Sequence, residues 1–507
     1  MRRRALTLKI VLRFCGPLLI ALGCFLTLPL IFVLVCGEFH QDSLTLRAFV
    51  LPGAFSLLLG ILLKRIFREA NPNRLQATLI CCVGWLGFSA IGALPYVIGI
   101  DSTYLDGFFE AMSGFTTTGI TMYTGLDHMP KSIIFWRALT QWVGGLGILT
   151  MFMAVVSKGG SSHRLLGAES HKIDVDRPVP GLANTIRILF SIYIGFTCLI
   201  AAGLFIFDMP FFDSICHSFT ALSTGGFSPY DASIEYYRLA GHPHYIWFEY
   251  ILIVGMLLGG TSFVIHYRLY KGSWGALIDN TEARYWWSMI GVFVALILIE
   301  RVVRIEHLSG ISLTSPDFWR RTEEDFRIVL FQVVSIITTT GFGTRDIASS
   351  FFGEAARQLF LIMMVIGGCV GSTSGGIKIL RIAILGRLIR REVYRLRVPS
   401  RAITAVIIDG EPVDLDEIQR VGGIFFAWIT LLILGGGITE FLSHYNGYQA
   451  LSGMFSALGN VGPCYIPVEG MGQLHPLIKI VYIMGMLAGR LEILPVLLLF
   501  SPKAWRS

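Results

Sequence analysis

Four times in 507 residues the chain returns to a short run that ends in glycine, and this recurrence limits its folds more than any other feature. Ser113–Thr121 reads Ser-Gly-Phe-Thr-Thr-Thr-Gly-Ile-Thr, and Ser335 opens the close copy Ser-Ile-Ile-Thr-Thr-Thr-Gly-Phe-Gly. Phe219 opens Phe-Thr-Ala-Leu-Ser-Thr-Gly-Gly-Phe, while Ser456 opens Ser-Ala-Leu-Gly-Asn-Val-Gly-Pro, which has lost the threonines. Aligning Gly119, Gly225, Gly341 and Gly462 gives spacings of 106, 116 and 121 residues. Near-constant spacing makes each copy one supersecondary unit, so the chain is expected to build four units around one shared feature.

The medium follows from composition. With 54% hydrophobic and 15% charged residues and a mean hydropathy of +0.65, the chain is a polytopic membrane protein. Its 55 glycines suit close helix packing and non-helical backbone inside a bundle. A net charge of +7 does not indicate nucleic acid, because Lys and Arg cluster at the ends of apolar runs, as in cytoplasmic loops. The nine cysteines, Cys81 and Cys82 among them, lie mostly in apolar stretches without metal-ligand spacing and read as small buried hydrophobes. Arg2-Arg3-Arg4 precedes an apolar run from about Cys15 to Cys36, long for a secretory signal and without a cleavage pattern, so it reads as a retained helix.

Apolar runs at about 14–36 and 48–64 precede the first repeat and form a transmembrane hairpin in a first segment, 1–70. Lys64, Arg65, Arg68 and Arg74 mark a basic turn, placed on the cytoplasmic side with the N-terminus. Four units then occupy 71–160, 161–280, 281–402 and 403–507. Each reads as a long apolar run, a short amphipathic run ending in the glycine element, and a second long apolar run. The short runs, at about 104–118, 211–224, 325–340 and 447–461, are too short to cross a core of ~30 Å at 1.5 Å per residue. They enter and turn back, which is allowed at membrane depth only where backbone lines water or is enclosed by protein. The expected architecture is all-α, with four pseudo-symmetric helix–pore loop–helix units around a central ion pathway. Two spans per unit plus the hairpin make ten, with both termini cytoplasmic. The predicted inner loops, Lys158–Arg187, Arg268–Arg284 and Arg381–Arg401, are basic. Arg301–Arg327, on the outer side, carries offsetting carboxylates at Glu300, Glu306, Asp317, Glu323, Glu324 and Asp325.

A cation leaving water needs its hydration shell replaced by oxygens, and backbone carbonyls supply them without formal charge. Glycine lets successive carbonyls face one axis, and the C-terminal end of each short helix favours a cation beyond it. Carbonyl rings without carboxylates suit a weakly hydrated monovalent ion better than Ca²⁺ or Mg²⁺. The expected K⁺ filter comprises Thr117, Thr118, Gly119, Ser223, Thr224, Gly225, Thr339, Thr340, Gly341, Asn460, Val461 and Gly462. The ion itself is expected at Thr118, Gly119, Thr224, Gly225, Thr340, Gly341, Val461 and Gly462. A single Thr-Gly could be a helix cap or packing contact; four at this spacing point to a filter.

These motifs, in the order helix, pore loop, helix, resemble the Trk/Ktr/HKT superfamily of potassium transporters over essentially the whole chain. The two extra N-terminal helices are similar to its TrkH-type bacterial branch. The resemblance implies K⁺ uptake across the bacterial inner membrane and a homodimer of pore-complete chains. It also implies a cytoplasmic RCK-type nucleotide-binding regulatory subunit similar to TrkA, with no organic cofactor in this chain. Na⁺-preferring members tend to carry Ser at the first filter glycine, so Gly119 implies K⁺; a Na⁺ or mixed-cation transporter, H⁺-coupled or not, is the alternative.

Three further stretches bear on control. Gly371, Ser372, Thr373, Ser374, Gly375 and Gly376 interrupt the third unit's second helix and, with Lys378 at the inner end, read as a hinge or a tight packing face or, as the resemblance supports, an intramembrane gating loop. Arg490 in the last helix is paired with Glu492 or snorkels to the cytoplasm or, the preferred reading that the resemblance also supports, faces the cavity as an electrostatic barrier or gate partner. Glu110 reads as a structural anchor. The basic segment Gly386–Pro399 obeys the positive-inside rule and offers a surface to anionic lipid or a partner. No HExxH, no GxSxG with a plausible histidine partner and no paired intramembrane aspartates point to an enzyme.

Overall fold

Helices form along the apolar runs, and even Pro17 and Pro52 are carried inside helices of the leading hairpin. The computed structural model describes residues 2–38, 43–67, 72–156, 182–306, 316–399, 402 and 404–506. Arg68 and most of the Lys158–Arg187 loop lie outside the described residues. In the leading hairpin, Arg2–Phe25 packs on Ser43–Ile66 backbone to backbone. A Cβ on Gly16 would stand 2.9 Å from the Gly60 oxygen, and one on Gly60 2.7 Å from the Gly16 oxygen. Only glycine permits that approach.

The first unit comprises Arg74–Gly92 with its continuation Leu94–Gly99, the short helix Tyr104–Phe115, and Lys131–Val156. Asn73 and Gln76 form a capping box at its start, and Thr103 caps the short helix by accepting from the Asp106 N–H. The second unit comprises Leu182–Ile206, Phe211–Leu222, and Tyr245–Gly260 followed by Phe263–Tyr270. The third has Thr281–Glu306, Pro316–Ile337, Glu354–Val365 and Ile379–Arg395. A two-stranded hairpin, Ile407–Ile408 with Glu411–Pro412, leads to the fourth: Leu415–Leu442, Gly447–Gly459, Pro476–Leu491 and Ile493–Leu499.

Three features differ from expectation. The third short helix runs 22 residues, because its charged start continues as helix; residues 321–326 are exposed or half-buried, and the fully buried part begins at Arg327. Among the described residues, six helices are long and apolar enough to cross a membrane, and a seventh span counts the bent pair Tyr245–Gly260 and Phe263–Tyr270. That pair turns by 103° where one continuous span was expected. The fourth unit's second helix is likewise broken, at Glu492 with φ 68°, whereas the break in the third unit's, between Val365 and Ile379, is the one the glycine-rich run leads one to expect. The freed carbonyls at the first break are satisfied: Gly259 O accepts from the Thr373 N–H at 3.1 Å and Gly260 O from the Cys369 N–H at 3.0 Å. A helix can therefore break at depth because another unit's backbone supplies the missing donors.

All nine cysteines are free; Cys15, Cys81, Cys82, Cys216 and Cys369 are buried, whereas Cys24, Cys36 and Cys198 face outward. Two arginines of the Arg301–Arg327 stretch find local carboxylates, Arg301 Nε to Asp325 at 3.3 Å and Arg327 Nε to Glu323 at 2.9 Å. Residues 307–315 of that stretch lie outside the described residues.

Candidate functional site

Each short helix ends in the same backbone figure. An N–H reaches back five residues: Thr118 to Ser113 O at 2.8 Å, Gly225 to Thr220 O at 2.9 Å, Thr340 to Ser335 O at 2.8 Å and Val461 to Ser456 O at 3.0 Å. The residue before this donor is left-handed in every unit, Thr117 at φ 52°, Thr224 at 52°, Thr339 at 57° and Asn460 at 55°. The residue after it is a glycine of positive φ: Gly119 at 85°, Gly226 at 77°, Gly341 at 87° and Gly462 at 105°. Gly226, not Gly225, is therefore in register with the other three glycines, and the spacings become 107, 115 and 121. Gly225 takes the place of Thr118, Thr340 and Val461. The repeat pattern points to the first of the two adjacent glycines, whereas the backbone angle of the position selects the second, Gly226.

Left-handed threonine is unusual, since its branched Cβ crowds the backbone at a cost of order 1–3 kcal/mol per residue. Three such residues at equivalent positions mark a backbone held in shape by its surroundings. Only Asn460 carried a sequence signal for that conformation.

The four strands meet in cyclic order. A Cβ added to Gly119 would lie 2.3 Å from Gly225 O, one on Gly226 1.9 Å from Thr340 O, one on Gly341 2.1 Å from Val461 O, and one on Gly462 3.0 Å from Thr118 O. Unit one thus abuts unit two, two abuts three, three abuts four and four returns to one. The threonine hydroxyls mostly brace the wall: Thr116 Oγ1 meets Thr118 Oγ1 at 2.7 Å, Thr338 meets Thr340 at 2.8 Å, and Asn460 Nδ2 donates to Thr118 Oγ1 at 2.8 Å. The Gly225 carbonyl accepts from Gln141 Nε2 at 2.7 Å, a partner that nothing in the glycine motif announced.

Polar contacts also tie each unit to the next on the far side of the glycines. Glu249 pairs with Arg327, Tyr465 Oη donates to Arg357 O at 2.8 Å, and Lys479 Nζ meets Asp106 at 2.5 Å. Between the first two units, Arg137 Nη1 donates to Ser228 O at 3.0 Å while its Nε meets Glu110 at 2.8 Å. Glu110 also accepts from the Met122 N–H at 2.9 Å and the Thr121 hydroxyl at 2.9 Å, which anchors the strand just past Gly119. Both members of this ion pair are at most 1% exposed. Glu110→Ala or Arg137→Ala is therefore expected to cost about 3–5 kcal/mol of stability, and the double variant less than the sum. Thermal unfolding in detergent checks this; single losses under about 1 kcal/mol would remove the anchor role.

The segment between Glu354–Val365 and Ile379–Arg395 lies against the C-terminal ends of the short helices. Thr373 Oγ1 donates to Leu222 O at 2.9 Å and meets Thr224 Oγ1 at 3.2 Å. Ser374 Oγ donates to Thr338 O at 2.7 Å, and the Gly375 N–H donates to Thr339 Oγ1 at 2.8 Å. Gly371 and Gly376, with φ 74° and 65°, bracket the hydroxyl residues Ser372, Thr373 and Ser374. At the far end, Lys378 stands at the residue before the following helix, and its Nζ donates back to Ser374 O at 2.5 Å. Arg490 is buried against this loop. Its guanidinium donates to Thr373 O, to Gly144 O at 2.9 Å and to Gly145 O at 3.2 Å, joining the first, third and fourth units. Glu492, the partner weighed for Arg490 from sequence, instead holds Arg381 at 2.5 Å. Among the described residues no cluster of His, Cys, Asp or Glu could hold a metal ion.

A family model described as TrkH, cation transport protein, matches residues 46–302 and 321–507. The chain is 32% identical to the Trk system potassium uptake protein TrkI of Halomonas elongata, over 98% of this chain and 97% of that one. It is 31% identical to the Trk system potassium uptake protein TrkH of Salmonella typhimurium, over 85% of this chain and 86% of that one. The crystal structure of the potassium transporter TrkH from Vibrio parahaemolyticus superposes with a TM-score of 0.83 at 27% identity, covering 98% of this chain and 99% of the other. Four units of one design, a cyclic meeting of their glycine strands and full-length relatives agree: the chain is a multi-pass membrane protein that belongs to the TrkH family of cation transport proteins.

Proposed function

We propose that the chain takes up K⁺ across the bacterial cytoplasmic membrane, through a filter formed by the strands ending at Gly119, Gly226, Gly341 and Gly462. The observation that carries this reading is the cyclic abutment of the four strands, each glycine against the next strand's carbonyl. Carbonyl oxygens at that level replace the ion's water, and the short-helix dipoles favour a cation beyond them. The Thr117 hydroxyl, buried without a protein hydrogen bond, supports an oxygen contributed to the path. The names of the relatives support K⁺ as the ion, and Gly119 fits the K⁺-preferring pattern.

The loop through Thr373 gates this path, with Arg490 as its latch. Its seating under two strands and its hold on Arg490 support that role. The resemblance supports a homodimer, cytoplasmic termini and an RCK-type nucleotide-binding subunit similar to TrkA. An exposed helix end carrying Ile389, Arg390, Val393, Tyr394 and Arg395 supports the docking of that subunit.

Radioactive rubidium uptake into liposomes holding the purified chain, with K⁺, Na⁺ and Li⁺ as competitors, is the test. K⁺ competes far better than Na⁺ or Li⁺ if the filter reading is right. Equal competition by Na⁺ assigns a mixed-cation path, and no flux with or without a regulatory subunit ends the proposal.

A further inference from the structure

One strand departs from the other three at one position. Thr118, Thr340 and Val461 precede the positive-φ glycine in the first, third and fourth units, but in the second the residue is Gly225. Its own backbone does not lie in the left-handed region, so conformation does not demand a glycine there. Space does. A Cβ on Gly225 would stand 2.3 Å from Cδ and 2.4 Å from Oε1 of Gln141.

Gln141 is fully buried on the first unit's second helix, and its amide grips the second strand twice. Nε2 donates to Gly225 O at 2.7 Å, while Oε1 accepts from the Phe227 N–H at 2.9 Å. The two bonds flank Gly226, the residue in register with the other filter glycines. Gln141 lies three residues before Gly144, which approaches Phe115 O as Gly259 approaches Leu222 O and Gly489 approaches Leu458 O. Counted the same way, the residues before Gly259 and Gly489 are Met256 and Met486, and in the third unit, by sequence register alone, Met364 stands three before Gly367; all are buried and none has a side chain that can donate to a carbonyl. By sequence register, then, the other units carry methionine where the first carries glutamine, and Thr or Val where the second carries glycine. Here a glutamine accompanies a glycine.

The strands brace themselves differently as a result. In the first and third units the residue before the glycine is held by a threonine two positions earlier, at 2.7 and 2.8 Å. Gly225 has no hydroxyl to offer, so the second strand depends on another unit's side chain. A carbonyl that accepts an amide N–H has one lone pair engaged and its tilt fixed; released, it can turn toward a smaller cation.

We propose that Gln141 is a specificity-determining positioning residue: its amide sets the second filter strand on both sides of Gly226, and Gln141 with Gly225 forms a compensated pair in place of methionine with threonine. This rests on the reading of the four strands as an ion filter. Gln141→Met lowers the preference for K⁺ over Na⁺ by about fivefold to tenfold, the effect of losing one to two buried hydrogen bonds. Gly225→Thr, which drives a Cβ into the amide, cuts flux at least about tenfold. The double variant, which restores the pairing type of Met256 with Thr340, recovers both rate and preference to within about twofold of wild type.

The experiment is competed rubidium uptake into liposomes for wild type, both single variants and the double, each first shown to be folded by size-exclusion chromatography. Wild-type preference in Gln141→Met, or a double variant no better than Gly225→Thr, overturns the positioning role. If Gly225→Thr does not fold, Gln141→Asn decides: one methylene shorter, it cannot span both bonds and loses preference, whereas unchanged preference overturns the proposal. Wild type that prefers K⁺ while the Gln141 variants match it sinks only this inference; wild type that conducts no cation sinks the filter reading and this inference together.

Discussion

Gly226→Ala is expected to reduce the preference for K⁺ over Na⁺ by roughly tenfold or more, equivalent to about 1.4 kcal/mol in relative ion binding. Two effects combine. The backbone there has φ 77°, which disfavours any side chain by about 1–2 kcal/mol, and the new Cβ would lie 1.9 Å from Thr340 O. Real contacts never come so close, so the Thr340 carbonyl or the whole second strand must move, and both belong to the proposed ring. The control is Gly437→Ala, where an added Cβ meets nothing, and rubidium competition there should match wild type. Retained wild-type selectivity in a folded Gly226→Ala variant would show that the four glycines do not form the filter.

Arg490→Ala should raise basal cation flux about tenfold in the absence of any regulatory subunit. The guanidinium now joins Thr373 O to Gly144 O and Gly145 O; alanine leaves three buried carbonyls without this donor and frees the loop from the first unit. Arg490→Lys should recover only part of the restraint, because an ammonium lacks the planar fork that spans carbonyls on two separate segments. Flux from liposomes measured for all three proteins decides it. If Arg490→Ala conducts no faster than wild type, the loop is not latched by this residue, and its hydroxyl contacts to Leu222 and Thr338 must hold it instead.

These two residues also show how far the site could be read from sequence. Arg490 stood out because a charge within an apolar helix is expensive, and its burial beside the glycine loop follows from the same reasoning. Its partners were not legible: Thr373, Gly144 and Gly145 come from two other units and are more than a hundred residues away. Gly226 was in plain view beside Gly225, yet pattern matching could not tell which of two glycines carries the left-handed angle.

What the sequence by itself determined is the medium, the fourfold plan and the short helices that enter and return, since hydropathy and repeat spacing are local properties written along the chain. Tertiary structure alone decided the register of the second strand, the pairing of Gln141 with Gly225 and the breaks in the second helices of the second and fourth units. Each depends on which backbone groups from another unit are close enough to fill a space or satisfy a hydrogen bond. Gly259 and Gly260 can end a helix inside the bundle because the third unit's loop brings N–H groups to their carbonyls, and only the assembled fold supplies them.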